Sequence, residues 1–196
     1  MATEDPAEPL APLASAGDLG VYSGEEMGEG QADLLLLMAS GVVRSYCGWR
    51  VAPQGVDTTS AWSSGQALMV PTLALASLQA VEVNGVAQVL DGWASDPSGL
   101  LWPPGGIYGW GGGQLAGGFG LAASRVRVTY LHGHQQVPGD VKAVALSVAA
   151  RMLANPATET QESLGGYTVS HSTAGPAGLT PTERAILNRH RVYGRP

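Results

Sequence analysis

The chain has 196 residues, enough for one hydrophobic core with room for a smaller lobe, and 44% of them are apolar. Only 13% are charged, against the ~25% usual in globular domains, so much of the surface is left to Gly, Ser, Ala, Gln and Thr and suits a subunit covered by neighbours. The net charge of −6 is split between an acidic head and a basic tail, which argues against a generic DNA binder with a basic face across its body and fits different partners at the two ends.

Eight of the sixteen acids (Glu4, Asp5, Glu8, Asp18, Glu25, Glu26, Glu29, Asp33) precede the first basic residue, Arg44. Residues 1–29 are rich in Pro, Gly, Ala and Glu without an apolar period, and are expected to form a flexible acidic arm. From Gln31 to Cys47 the period becomes helical. Asp33, Ser40 and Arg44 share one narrow side, while Leu34, Leu35, Met38, Val42, Val43 and Tyr46 spread over the rest. Such a wide apolar face predicts burial against more than one element, with Gly48 as the stop. The apolar run Leu34–Val43 is about half a membrane span, and the N-terminus lacks the basic-then-apolar order of a secretory signal. The expectation is a soluble chain that does not engage a membrane. The single cysteine, Cys47, rules out an intramolecular disulfide and suits a reducing cytoplasm.

Residues 50–131 read mainly as β. Asn84-Gly85 between short apolar runs in Leu78–Leu90 is a strong hairpin signal. Arg125–Tyr130 alternates, placing Val126, Val128 and Tyr130 on one face. Between them the Gly- and Trp-rich stretch 92–120 has no period and reads as loop or irregular hairpin. After Pro138-Gly139-Asp140 a second helix is predicted over 138–154, with Val141, Val144, Val148 and Met152 at core spacing. Ala145 and Ala149 would let another helix approach closely. Tyr167–Ser170 is a short strand candidate. Thr180-Pro181-Thr182-Glu183 then supplies a capping box with proline at the first helical position, opening a helix to about His190.

No catalytic constellation emerges. His132 and His134, two apart, would share a face of a strand as some metal sites begin, but no further ligand stands near them in sequence. Strand-end histidines beside a turn are the plainer reading. Gly111–Ala116 fits G-x-G-x-x-A by letter, yet Gly117-Gly118 follow where the fingerprint needs a helix, and the lone lysine, Lys142, lies elsewhere. There is no G-x-S-x-G, and Cys47 at the end of an apolar helix reads as a small buried hydrophobe. The expectation is a non-enzyme without cofactor or metal. The C-terminal arginines suit docking on a partner's surface, ahead of a solvated end or a phosphate contact, with Val192 and Tyr193 as anchors.

The order of these signals carries a resemblance. Tyr46-Cys47-Gly48-Trp49 closes the first helix, and a β-rich middle with its NG hairpin follows. A strand exit comes next (Val128, Thr129, Tyr130, His132, Gly133, His134), then Val137-Pro138 and Asp140 opening a helix. An E-x-x-G-x-Y piece (Glu162, Gly165, Tyr167) precedes Leu179, Glu183, Leu187, Arg189 and Arg191. Over residues 31–195 this is similar to head-to-tail adaptor proteins of tailed bacteriophages, of the siphophage type infecting actinobacteria.

The resemblance implies an α+β fold: a small helical core of N-terminal, central and C-terminal helices with a β-rich insertion and extended terminal arms. It implies an arm at 1–29, one adaptor domain at 30–183 and a docking tail at 184–196. Leu34, Leu35, Met38, Val42, Val141, Val144, Val148 and Met152 would form the helical core. The implied function is a virion neck ring of twelve copies, made in the host cytoplasm. It would sit between portal and head–tail stopper, complete the filled head and pass genomic DNA through its lumen without reading sequence. Arg184, Arg189, Arg191, Val192, Tyr193, Gly194 and Arg195 would dock on the portal. Trp102, Tyr108, Trp110 and Phe119 would lie in a loop contacting the ring or stopper. A different class stays open: a monomeric β-rich binding module using the Gly/Trp loop 92–120 (Trp93, Trp102, Tyr108, Trp110) for an apolar-faced ligand.

Overall fold

A computed structural model describes residues 10–63, 67–104, 124–154, 161–164, 167–170 and 178–192. The protein is α+β and divides into two compact units. Residues up to Cys47 and Val137–Arg191 form a helical unit, and Gly48–Gln136 with Val192 form a β unit. The single domain expected over 30–183 thus gives way to two units, the second inserted into the first. Helices dominate the first and strands make up the second.

The helical unit holds α1 (Ala16–Ser23), α2 (Glu29–Cys47), α3 (Gly139–Ala154) and α4 (Pro181–Leu187), the last running into a 3-10 turn at Asn188–His190. Helix α1 corrects the expectation of an arm without structure, at least over 10–29. Ser15 caps it, with reciprocal bonds between Ser15 and Asp18, and Gly24 in the left-handed region (φ 71°) ends it. Leu13 and Leu19 are buried, and these two anchors tie the segment down. The lone lysine, Lys142, reaches Asp18 at 2.8 Å, binding α1 to α3. Lys142, followed by the Ser15 bonds, holds the Asp18 carboxyl well below the usual range. Residues 1–9 of the expected arm lie outside the described residues.

Helix α2 packs on α3, but not by the face expected. It buries Ala32, Leu36, Ala39, Ser40, Val43 and Cys47. Leu34 and Met38 are exposed, and Leu35 and Val42 are half-buried. The physical reason is the small-residue seam: Ala32, Ala39 and Ser40 let neighbouring elements approach, and Leu36 and Val43 interlock along it. Ser40 is part of this, since its hydroxyl donates to Leu36 O (2.6 Å) and accepts the Leu13 N–H (2.8 Å). On α3, Val141, Val144, Val148 and Met152 are buried with Ala145 and Ala149.

In the β unit, β1 (Gly55–Ser63), β7 (Ser124–His132), β3 (Leu75–Val83) and β4 (Val86–Ala87) make an antiparallel sheet in the order β1-β7-β3-β4. A second sheet has the order β2 (Leu68–Met69), β6 (Leu100–Trp102), β5 (Ala94–Ser95). Strand β7 is central and alternates as its sequence demands, burying Val126, Val128 and Tyr130. They join Leu68, Val70, Val81 and Leu101 in one apolar cluster. Asn84 and Gly85, both at positive φ, make the β3–β4 turn, as a two-residue hairpin of this hand requires. The helical unit carries a strand pair of its own, β8 (Gln161–Leu164) with β9 (Tyr167–Ser170). Among the described residues no helix is long and apolar enough to cross a membrane.

Candidate docking site

The basic C-terminal segment is better structured than a tail beginning at 184 would be. Thr180 caps α4, its hydroxyl accepting the Glu183 N–H while the Glu183 carboxylate accepts the Thr180 N–H at 2.8 Å. The same carboxylate takes two bonds from Arg151 of α3 (2.6 and 3.0 Å) and one from the Ser147 hydroxyl (2.8 Å). Arg151 also donates to Gly178 O at 2.7 Å. Burial would raise the Glu183 carboxyl, but Arg151, the Thr180 N–H and Ser147 outweigh it and pull it to about 2. With Leu187 fully buried, this clamp makes residues 184–190 helical and fixed to the unit. That corrects the docking tail's expected start.

Arg184 therefore projects from a helix rather than a free end. With Arg191 it borders a cleft of about 700 Å³ formed with Gly41, Val42, Ser45, Tyr46 and Leu179. The Arg191 guanidinium lies over the Tyr46 ring, 5.1 Å from its centre, a favourable cation–aromatic geometry. The Tyr46 hydroxyl donates to Asn188 Oδ1 at 2.7 Å. His190 and Asp140 meet at 2.8 Å. Burial, which would raise the Asp140 carboxyl, is outweighed by that bond, which holds it below its usual value. Arg189 is exposed and Val192 half-buried. Tyr193, Gly194 and Arg195 lie outside the described residues, as do Tyr108, Trp110 and Phe119 of the expected contact loop. Trp102, half-buried, belongs to β6. Cys47 is buried, which pushes its thiol up to about 11 and suppresses the reactive thiolate.

The histidine pair has a neighbour that sequence distance concealed. His132, buried at the end of β7, meets Asp57 Oδ2 of β1 at 2.8 Å, 75 residues away. Arg50 donates to both Asp57 oxygens, and the Trp49 ring lies beside both His132 and His134. Burial, which would raise the Asp57 carboxyl, loses to the His132 and Arg50 bonds, which bring it down to about 2. No group of three or more His, Cys, Asp or Glu side chains is placed to hold a metal ion among the described residues. The cluster works as a structural ion-pair network joining the start of the unit to its central strand.

The lowered carboxyls of Asp57 and Glu183 make acid sensitivity predictable. Their folded pKa values lie below the unfolded values near 3.8 and 4.5. Their stabilisation is therefore complete above about pH 4.5 and fades as pH falls towards 2. Melting temperature should hold from pH 7 to about 5 and drop steeply below 4. Asp57→Asn should flatten part of that drop, and an unchanged slope would remove Asp57 from the account.

The fold and its surface define a two-unit α+β protein whose helical unit presents a doubly basic cleft and exposed Leu34, Leu37 and Met38 on α2. No family model and no curated protein matches the sequence. The architecture is, however, similar to solved chains of particle necks. One is from the neck of an empty GTA (gene transfer agent) particle computed with C6 symmetry, at a TM-score of 0.55 and 16% identity, covering 94% of each chain. Another is from the neck of a native GTA particle computed with C12 symmetry, at 0.52 and 15%, covering 94% of this chain and 98% of that one. At these identities the likeness establishes a shared fold.

Proposed function

We propose that this chain is a structural protein of the neck of a phage-like particle, working as a ring of copies between the portal and the next neck protein. The observation that carries the reading is the fold likeness to GTA neck chains over 94% of this chain, one of them in a particle computed with C12 symmetry. In its finer form, twelve copies would close a ring after DNA packaging and leave a lumen for the genome. The ordered motifs from Tyr46 to Arg191 support the adaptor type found in siphophages of actinobacteria. Ring formation needs two different, complementary patches on each copy, and the sparsely charged surface leaves room for them. A net-acidic protomer suits a conduit, because fixed cations along DNA would add salt-dependent attraction.

Portal docking falls to Arg189 with residues 192–196, while Arg184 and Arg191 line the cleft beside Tyr46. The structure dictates how to test it. A truncation from 184 would remove buried Leu187 and unfold the clamp, so the informative variant ends at Arg191. That shortened chain should keep its circular dichroism and melting temperature, yet lose most of its co-sedimentation with portal-bearing heads. Full occupancy on those heads would refute the docking role. Electron microscopy of particles should place the chain in a ring at one vertex, and its absence there would end the neck reading.

A further inference from the structure

The outer face of α2 is apolar where solvent should make it polar. Leu34 (58% exposed), Leu37 (39%) and Met38 (51%) stand at helical neighbour spacing on the side away from α3. Gly41 and Ser45, both exposed, continue the strip, and a Cβ added at Gly41 would meet open space. At 100° per residue Leu34, Met38, Gly41 and Ser45 fall within about 60° of arc, and Leu37 marks the edge where Asp33 and Arg44 begin. A surface helix ordinarily puts charge here. A run of large apolar residues beside small ones is what a packed interface uses.

A second apolar patch of the same unit carries the opposite charge. On α1, Val21 is 88% and Tyr22 53% exposed. Beside them a cleft of about 670 Å³ is bordered by Met27 and by Glu25, Glu26 and Glu29. The strip on α2 instead runs at its far end into the cleft of Arg184 and Arg191. One patch is apolar with a basic end, and the other is apolar with an acidic end. We infer that the outer face of α2 is the docking site for a second copy of this chain, which presents its Val21–Glu29 corner, acids towards Arg184 and Arg191. Because the two patches differ, each copy keeps one of each to offer, and contact propagates head to tail until a ring closes. The inference rests on the neck reading for the ring, but the pairing of faces is a property of the chain alone.

The test uses the full chain in two double variants, Leu34→Glu with Met38→Glu and Val21→Glu with Tyr22→Glu, all at exposed positions and checked for folding by circular dichroism. Sedimentation of the wild type over rising concentration should show self-association. Each double variant should weaken it about tenfold or more, as loss of central interface residues does. An equimolar mixture of the two variants should form dimers and nothing larger, since one intact pair of faces survives between them. A photo-crosslinking residue at Leu37 should map to 21–29 of another copy, in solution or on particles. A crosslink from Leu37 to α2 of another copy, or wild-type association by the Val21/Tyr22 variant, would overturn the pairing. So would a wild type that neither associates nor crosslinks. Particles separate this failure from that of the neck reading. Face variants entering the neck at full copy number sink the interface alone, whereas a wild type absent from the neck sinks only the placement.

Discussion

Glu183→Ala should destabilise the helical unit by about 3–5 kcal/mol, the usual cost of stranding a charge whose buried partner has been removed. Glu183 is almost fully buried and answers Arg151, Ser147 and the Thr180 N–H at once. Arg151 already has one buried nitrogen, Nε, without a partner among the described residues. Removing the carboxylate would leave the guanidinium only its bonds to Ser147 Oγ and Gly178 O, with no counter-charge, and α4 would lose half its capping box. Since whole domains are stable by only about 5–15 kcal/mol, α4 should detach well before the rest of the unit melts. Pairing Glu183→Met with Arg151→Met should recover much of the loss, because deleting both charges removes the desolvation cost with the attraction. Denaturant unfolding followed by far-ultraviolet circular dichroism measures this. A loss below about 1 kcal/mol for the single variant, the range of exposed ion pairs, would mean that solvent reaches the clamp.

Much of this architecture is written in short-range signals. Asn84-Gly85, the alternation of β7, the period of α3 and the Thr180–Glu183 capping box each depend on residues within a few positions, and each appears in the structure where the sequence puts it. What escaped depends on distance or on small residues. Helix α1 hides in a Pro-, Gly- and Ala-rich stretch. Its signal is there in Ser15 with Asp18 and Gly24, but aspartate replaces the usual glutamate and one buried leucine per helix makes no period. The Arg50–Asp57–His132 network is set by strand register, which places residue 57 beside residue 132 only after β1 pairs with β7. The C-terminal arginines drew attention to charge, while Leu187, the residue that anchors them, is a single apolar side chain between polar neighbours.

The face of α2 is the most instructive error, and it leads to a second large effect. Counting big apolar residues selects Leu34, Leu35, Met38 and Val42, whereas the structure buries Ala32, Leu36, Ala39 and Val43. Leu36→Ala should therefore cost the isolated chain about 2–5 kcal/mol, the transfer term plus the cavity left against α3. Leu34→Ala, at a surface position, should change it by no more than about 0.5 kcal/mol. Urea unfolding of the two variants side by side decides the matter, and equal losses would restore the face read from the sequence. In assembled particles the ranking should reverse for assembly itself. Leu36→Ala, if still folded, should enter a ring as the wild type does, while Leu34→Ala should weaken the hold on its neighbour. A helix with two apolar faces then needs no compromise between them: the seam of small residues folds the protomer, and the strip of large ones is kept for the next copy.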